Sequence, residues 1–277
     1  MKSSIKGKLP LVPLGLLVLL MLFPLYWLIS LSLRQSSDMA HAWSLLPHSF
    51  TLHHWEDLWK ARDFIIPLGN SLFVGWISLM ISMIAGTCGA YILGRSRFRH
   101  WVHRSFIAWI LTARILPPIT LGIPLFILFN KTHLLGTNIP LILSHSLMNL
   151  PFIMWFLIPA FRGIPQELEE SAKIDGAGDR RIFIQIALPL IGPSLAAVAI
   201  FSFMNSWNEY AYAVVMTQSP GKFTLPLRLA TFNSEQEVMK WGSLAAGGSM
   251  SLLPLLIFAL VMQRYLVSGL TAGSVKS

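Results

Sequence analysis

The sequence predicts an all-α integral membrane protein with six transmembrane helices and a cytoplasmic helix-turn-helix segment between the fourth and fifth. Three observations predict it. Of 277 residues, 54% are hydrophobic and only 12% charged, against about 25% charged in soluble domains. Apolar segments at 9–33, 67–94, 105–130, 139–161, 189–216 and 245–267 each reach the roughly 20 residues that a span needs. Between the fourth and fifth lies a stretch, 163–189, much more polar than its surroundings. A water-solvated domain of this length would need more polar side chains to cover itself, and lipid supplies the cover instead.

The first element is the amino-terminal run 9–33, preceded by Lys2, Lys6 and Lys8. It is longer than the about 7–15 residues of a signal-peptide core, and no small-residue cleavage site follows it, so it reads as a retained span. The runs should be helices, because backbone groups in hydrocarbon must be satisfied within the segment and the alternating pattern of a barrel is absent. No linker or low-complexity tract interrupts the chain, which reads as a single transmembrane domain over 1–277.

Lys and Arg number 13 in the tails and loops on the amino-terminal side and seven on the other. Positive residues favour the cytoplasm, which places both termini and the 163–189 stretch inside and the loops 34–66, 131–138 and 217–244 outside. The net charge of +9 and pI near 10 do not indicate a nucleic-acid partner, since the basic residues sit in short clusters between apolar runs. Cys88 is the only cysteine, so no disulfide forms within the chain.

The first outer loop carries His48, His53, His54, Trp55 and Trp59. No carboxylate or thiol completes a recognisable metal-ligand spacing, and interfacial aromatics on a short amphipathic segment are the favoured reading. Helix three holds Pro117, Pro118 and Pro124, and helix four Pro140, Pro151 and Pro159. Such residues free carbonyls and bend helices, which suits a moving pathway better than a static anchor.

Several polar residues fall inside the spans. Arg114 in helix three must face protein or water, because a charge at membrane depth costs a few kcal/mol. Two uses stay open: lining a substrate pathway, or a structural pair with a carboxylate such as Glu209, the latter preferred. Helix five carries Asn205, Asn208, Glu209 and Tyr210, a set that suits sugar hydroxyls and ring faces or, equally, helix–helix contacts. Ser144, His145, Ser146 and Asn149 raise the class of an intramembrane hydrolase. Adjacent helical residues point about 100° apart, so Ser144 and His145 make a poor nucleophile–base pair, and the chain reads as a non-enzyme.

The stretch 163–189 reads as helix, turn, helix. Pro165 sits where a first turn tolerates it, Glu167, Glu169 and Glu170 favour the positive end of the dipole, and Asp175-Gly176 ends the helix. Glu169 and Lys173 are spaced for an i,i+4 pair. Leu168, Ser171 and Ala172 share one face, small enough on average for another protein surface to approach closely, and on these residues alone a docking knob and an ordinary solvated connecting loop stay equally open.

Glu170, Ser171 and Ala172, then Gly176 after three residues, then Ile186, Leu188 and Pro189 after nine more resemble the signature of inner-membrane permeases of ABC importers: EAA, three residues, G, nine residues, I-x-L-P. Ser171 departs from it by one small residue for another. Asp175, Ala177, Phe183 and Pro193 resemble the longer form in sugar permeases, and Ser268 to Lys276 resembles the end of maltose-permease-like subunits. The resemblance implies that 165–188 is a coupling segment seated in a groove of a cytoplasmic ATPase dimer. It further implies a second permease subunit, an extracytoplasmic solute-binding protein, and location in the bacterial inner membrane. No G-x-x-x-x-G-K-[ST] loop occurs in the chain, so no cofactor is expected in it and ATP belongs to the ATPase partner.

Overall fold

The computed structural model describes residues 11–41, 44–60, 64–95, 100–232 and 241–272. Lys2, Lys6, Lys8, Arg62, Arg97, Arg99, Lys240 and Lys276, which enter the charge count, lie outside them, as do the last five residues of the carboxyl end. Among the described residues the elements are helical: α1 (Leu11–Ser32), α2 (His53–Lys60), α3 (Ile65–Arg95), α4 (His100–Ile115), α5 (Pro118–Lys131), α6 (Ile139–Arg162) and α7 (Gln166–Ile174). After these come α8 (Asp179–Ile182), a π-helical turn (Phe183–Ala187), α9 (Leu188–Leu190), α10 (Gly192–Trp207), α11 (Ala211–Met216), α12 (Leu225–Phe232) and α13 (Trp241–Ala272).

Four helices, α1, α3, α6 and α13, are long and apolar enough to cross a membrane, and two bent pairs raise the number to as many as six. The bent pairs correspond to the runs 105–130 and 189–216. In the first, α4 and α5 meet at 95°. Residues before proline avoid the helical region, so α4 stops ahead of Pro117, and α5 restarts with Pro118 at a position where a missing N–H costs nothing. By contrast, Pro124, Pro151 and Pro159 lie inside helices that continue through them.

In the second run the helix begins earlier than expected, at Asp179, and bends by 77° between Leu190 and Gly192. Two prolines account for its form. Pro189 cannot donate to the Gln185 carbonyl and its ring crowds that group, and the turn just before it widens to a π-helix. Pro193 does the same to the carbonyl of Pro189, and Ile191 leaves the helical region at φ −95°, ψ 13°.

The chain forms two compact units, one of residues 1–65 and 229–253, the other of 66–228 and 254–277. In the first, α1 leaves Leu16, Leu19, Leu20 and Met21 more than 60% exposed, as lipid-facing side chains are. Arg34, which the charge count places in an outer loop, is fully buried; its guanidinium donates to Ser44 Oγ at 3.0 Å and rests on the Trp27 ring. His54 on α2 is buried as well. Its Nε2 donates to the Arg34 carbonyl at 3.0 Å and its Nδ1 lies 3.2 Å from Ser243 Oγ. His53 pairs with Asp57 and His48 with Asp38, so these loop histidines are engaged in structural contacts.

In the second unit α3 presents a buried stripe of small residues, Ser71, Gly75, Ser78, Ser82, Gly86 and Ala90. Their spacing of three or four keeps them on one face, and their size lets helices approach closely. A Cβ built on Gly86 would stand 2.7 Å from Ile153 Cγ2, and one on Gly75 would stand 3.1 Å from the Phe203 ring. Thus α3 packs on α6 and α10. A core of Ala90, Leu93, Ile110, Ile153, Leu157, Phe161 and Ala187 lies behind them.

Candidate functional site: the α7 segment and a polar cavity

Helix α7 ends through a fully formed C-cap. The Ala177 N–H donates to the Ala172 carbonyl at 2.9 Å and the Gly176 N–H to the Lys173 carbonyl at 3.0 Å, the paired bonds that close a helix when the next residue is left-handed. Gly176 is that residue, at φ +82°. Nothing lies within 4 Å of a Cβ built there, so glycine is required for its backbone angle and not for space.

No residue of α7 is buried, and Arg95, the last residue of α3, fastens the helix to the neighbouring spans. Its Nε donates to Glu169 Oε1 at 2.8 Å, and its Nη1 donates to the carbonyls of Ile164 at 2.8 Å and Phe161 at 3.4 Å. One guanidinium therefore ties α3, the carboxyl end of α6 and α7 together, where a cation also complements the helix dipole of α6. The expected pair of Glu169 with Lys173 does not form. Glu169 turns to Arg95, in a site where both side chains are nearly buried, and Lys173 instead approaches Asp179 at 3.5 Å.

Of the signature residues, Glu170, Ser171, Asp175 and Gly176 are exposed on or just after α7, and Ala172 and Ala177 are half-buried. Leu168 is 44% and Ile174 86% exposed, apolar groups on a polar helix. Ile186, Leu188 and Pro189 are not on α7. They belong to the bent run from Asp179 to Leu190, where Ile182 and Ala187 are buried and Leu188 packs on the core. Phe183 stands 4.8 Å from the Tyr91 ring and 6.3 Å from that of Phe161, which anchors this run to α3 and α6.

The residues expected to line a pathway divide. Arg114, Asn205 and Asn208 do come together, around a cavity of ≈ 350 Å³ completed by Phe152, Phe201 and Met204. Glu209 is not part of it. Its carboxylate is buried, 3.3 Å from His145 Nε2, and accepts the N–H groups of Tyr212 at 2.9 Å and Ala213 at 3.4 Å. It therefore satisfies orphan donors at the start of α11 just after α10 has ended. The preferred pair of Arg114 with Glu209 is absent: the guanidinium lies over Trp155 at 4.4 Å and Phe152 at 5.1 Å. Tyr210 is 44% exposed at the cap of α11.

Asn149 donates to Ser206 Oγ at 2.8 Å, and Ser206 Oγ lies 3.4 Å from Ser78 Oγ. With His145–Glu209 these form polar contacts between spans, and the Ser–His hydrolase constellation does not assemble: Ser144 Oγ has no hydrogen-bond partner. Sequence reasoning missed Arg95, read only as one charge among many, and Trp155. No local signal marks a partner 74 residues away.

Residues 78–271 match the family model described as "Binding-protein-dependent transport system inner membrane component". The chain belongs to this family. It is therefore a transport permease and not an enzyme, a multi-pass protein of the inner membrane. It is 32% identical, over the full length of both chains, to the diacetylchitobiose uptake system permease protein DasC of Streptomyces coelicolor. It is 34% identical, over 92% of each chain, to the trehalose transport system permease protein SugB of Mycobacterium tuberculosis. Among solved structures, a chain of a bacterial ABC transporter for import of the acidic polysaccharide alginate superposes with a TM-score of 0.78. That match is 22% identical over 96% of this permease and 98% of the other chain, and it shows the shared fold.

Proposed function

We propose that this permease is one membrane-spanning subunit of an ATP-driven importer that moves a sugar or related polyol inward by alternating access. The observation that carries the reading is the α7 segment: a short, largely exposed helix with apolar side chains exposed, fastened to two spans by Arg95 through Glu169 and the carbonyls at the end of α6. A helix so built delivers force to the bundle when something grips its outer face. The gripping partner is a separate ATPase dimer, which binds the ATP, and 165–188 is its coupling segment. Glu170, Ser171, Ala172, Asp175, Gly176 and Ala177 form the docking end, while Ile186, Leu188 and Pro189 form the bend that receives the motion.

Within this reading the two bent pairs each count as one span, the whole chain is one six-span permease domain, and both termini lie in the cytoplasm. A second permease subunit completes the pathway and a solute-binding protein delivers the solute from outside. Arg114, Asn205 and Asn208 line the pathway. The sugar class is supported by the relatives, whose names give diacetylchitobiose and trehalose as their solutes.

The test is accessibility and uptake together. A cysteine introduced at Asp179 is expected to react with membrane-impermeant thiol reagents only from the cytoplasmic side, and the reconstituted importer to take up a disaccharide only with ATP inside. Labelling from the outer side alone would overturn both orientation and coupling.

A further inference from the structure

Arg114 is a cation on a membrane helix, and among the described residues no carboxylate lies within ion-pair distance of it and no hydrogen bond engages it. Its one support is the pair of aromatic faces, Trp155 at 4.4 Å and Phe152 at 5.1 Å. Stacking of this kind orients the planar guanidinium while leaving its N–H edges available. A charge at membrane depth must meet water or a partner, and the space beside it is the ≈ 350 Å³ cavity shared with Asn205 and Asn208. That volume lies within the range of small-ligand pockets, about 300–1,000 Å³.

The two asparagines carry further unfilled capacity. Asn205 is exposed, with no hydrogen bond among the described residues, and Asn208 spends one N–H on the Met204 carbonyl at 3.0 Å and keeps its side-chain oxygen. The cavity thus offers a forked cationic donor, two carboxamides able to accept, and the apolar surfaces of Phe152, Phe201 and Met204. A neutral pyranose matches all three: paired ring hydroxyls both donate and accept, and the C–H faces lie on apolar walls. A cationic solute does not match, since no wall carboxylate offsets Arg114.

On these grounds, and resting on the permease reading above, we infer that this subunit itself holds the transported sugar, with the Arg114 guanidinium bonded to adjacent hydroxyl oxygens and Asn205 and Asn208 completing the subsite. The chain is then a selecting wall of the pathway and not merely its cover.

The test uses the complete importer in proteoliposomes with the native Cys88 replaced by serine. In an Asn205→Cys variant, the anionic reagent MTSES is expected to react about tenfold faster than the cationic MTSET, and adding Arg114→Gln is expected to equalise the two. No reaction with either reagent would overturn the proposal, as would a preference unaffected by Arg114→Gln. Uptake of radiolabelled trehalose, melibiose and N,N′-diacetylchitobiose is then measured. For whichever sugar is imported, Arg114→Gln and Arg114→Lys are expected to raise KM about tenfold with kcat within about twofold, equivalent to about 1.4 kcal/mol. An unchanged KM would sink the subsite alone, whereas an importer that carries none of the sugars would sink the sugar reading and the subsite with it. Loss of the second permease on co-purification of Arg114→Gln would overturn the inference in favour of a subunit contact.

Discussion

Replacing Arg95 by alanine removes one ion pair and two carbonyl caps at once, and the structure sets the scale of the loss. The pair is 2.8 Å long with side chains 10% and 14% exposed. Exposed pairs contribute about 0–1 kcal/mol, and removing one partner of a fully buried pair costs about 3–5 kcal/mol. A site this nearly closed, with carbonyls of α6 also left without their donor, should lose about 2–3 kcal/mol of α7 docking, between those limits. That is a shift of roughly 30- to 140-fold in the docked population. Glu169→Gln, which keeps an acceptor oxygen, should lose about 1 kcal/mol. The assay is hydrogen exchange over Gln166–Ile174 in the assembled importer, with solute moved per ATP hydrolysed measured on the same preparations. Arg95→Ala should lose exchange protection in α7 and transport stoichiometry together while the ATPase still co-purifies. The double variant Arg95→Ala/Glu169→Ala should cost less than the sum of the singles. Wild-type protection and stoichiometry in Arg95→Ala would refute the strut.

At Gly176 the positive φ without crowding predicts that alanine lowers uptake by misplacing the cap, at a cost of about 1–2 kcal/mol, while asparagine, which tolerates the left-handed region, stays near wild type. Equal uptake by both variants would refute the backbone argument. Glu209→Gln leaves His145 without its carboxylate and weakens the two backbone bonds at the start of α11. A thermal unfolding midpoint in detergent lowered by several degrees is expected, with a smaller drop for His145→Asn, and an unchanged midpoint would show the pair to be idle. Gly86→Leu drives a side chain into Ile153 and should abolish stable accumulation in the membrane, whereas Gly69→Leu, where nothing lies within 4 Å, should accumulate normally.

Apolar run length and the placement of proline and glycine are local properties, and the helical class, the continuous spans and the α7 helix with its glycine stop were legible from them, whereas the small-residue stripe of α3 was recognised only from its packing. The signature spacing from Glu170 to Pro189 marked the family for the same reason, since short-range geometry repeats wherever the same turn is built. The register of the broken spans was only partly legible, because a proline announces a disturbance without saying whether the neighbours will absorb it, as they do at Pro151, or let the helix break, as at Pro117.

Charge pairing was decided by the tertiary structure. Glu169 had a sequence neighbour at the right spacing in Lys173 and chose Arg95, because a nearly closed site with carbonyl acceptors beside it rewards a planar, forked cation more than a solvated surface rewards an ammonium. Arg114 and Glu209, complementary on paper, were separated: Glu209 is drawn to the unsatisfied N–H groups at the start of α11, and Arg114 rests on the rings of α6. Which side chains meet depends on helix rotation and on where a helix breaks, and those follow from packing across the whole bundle rather than from any segment read alone.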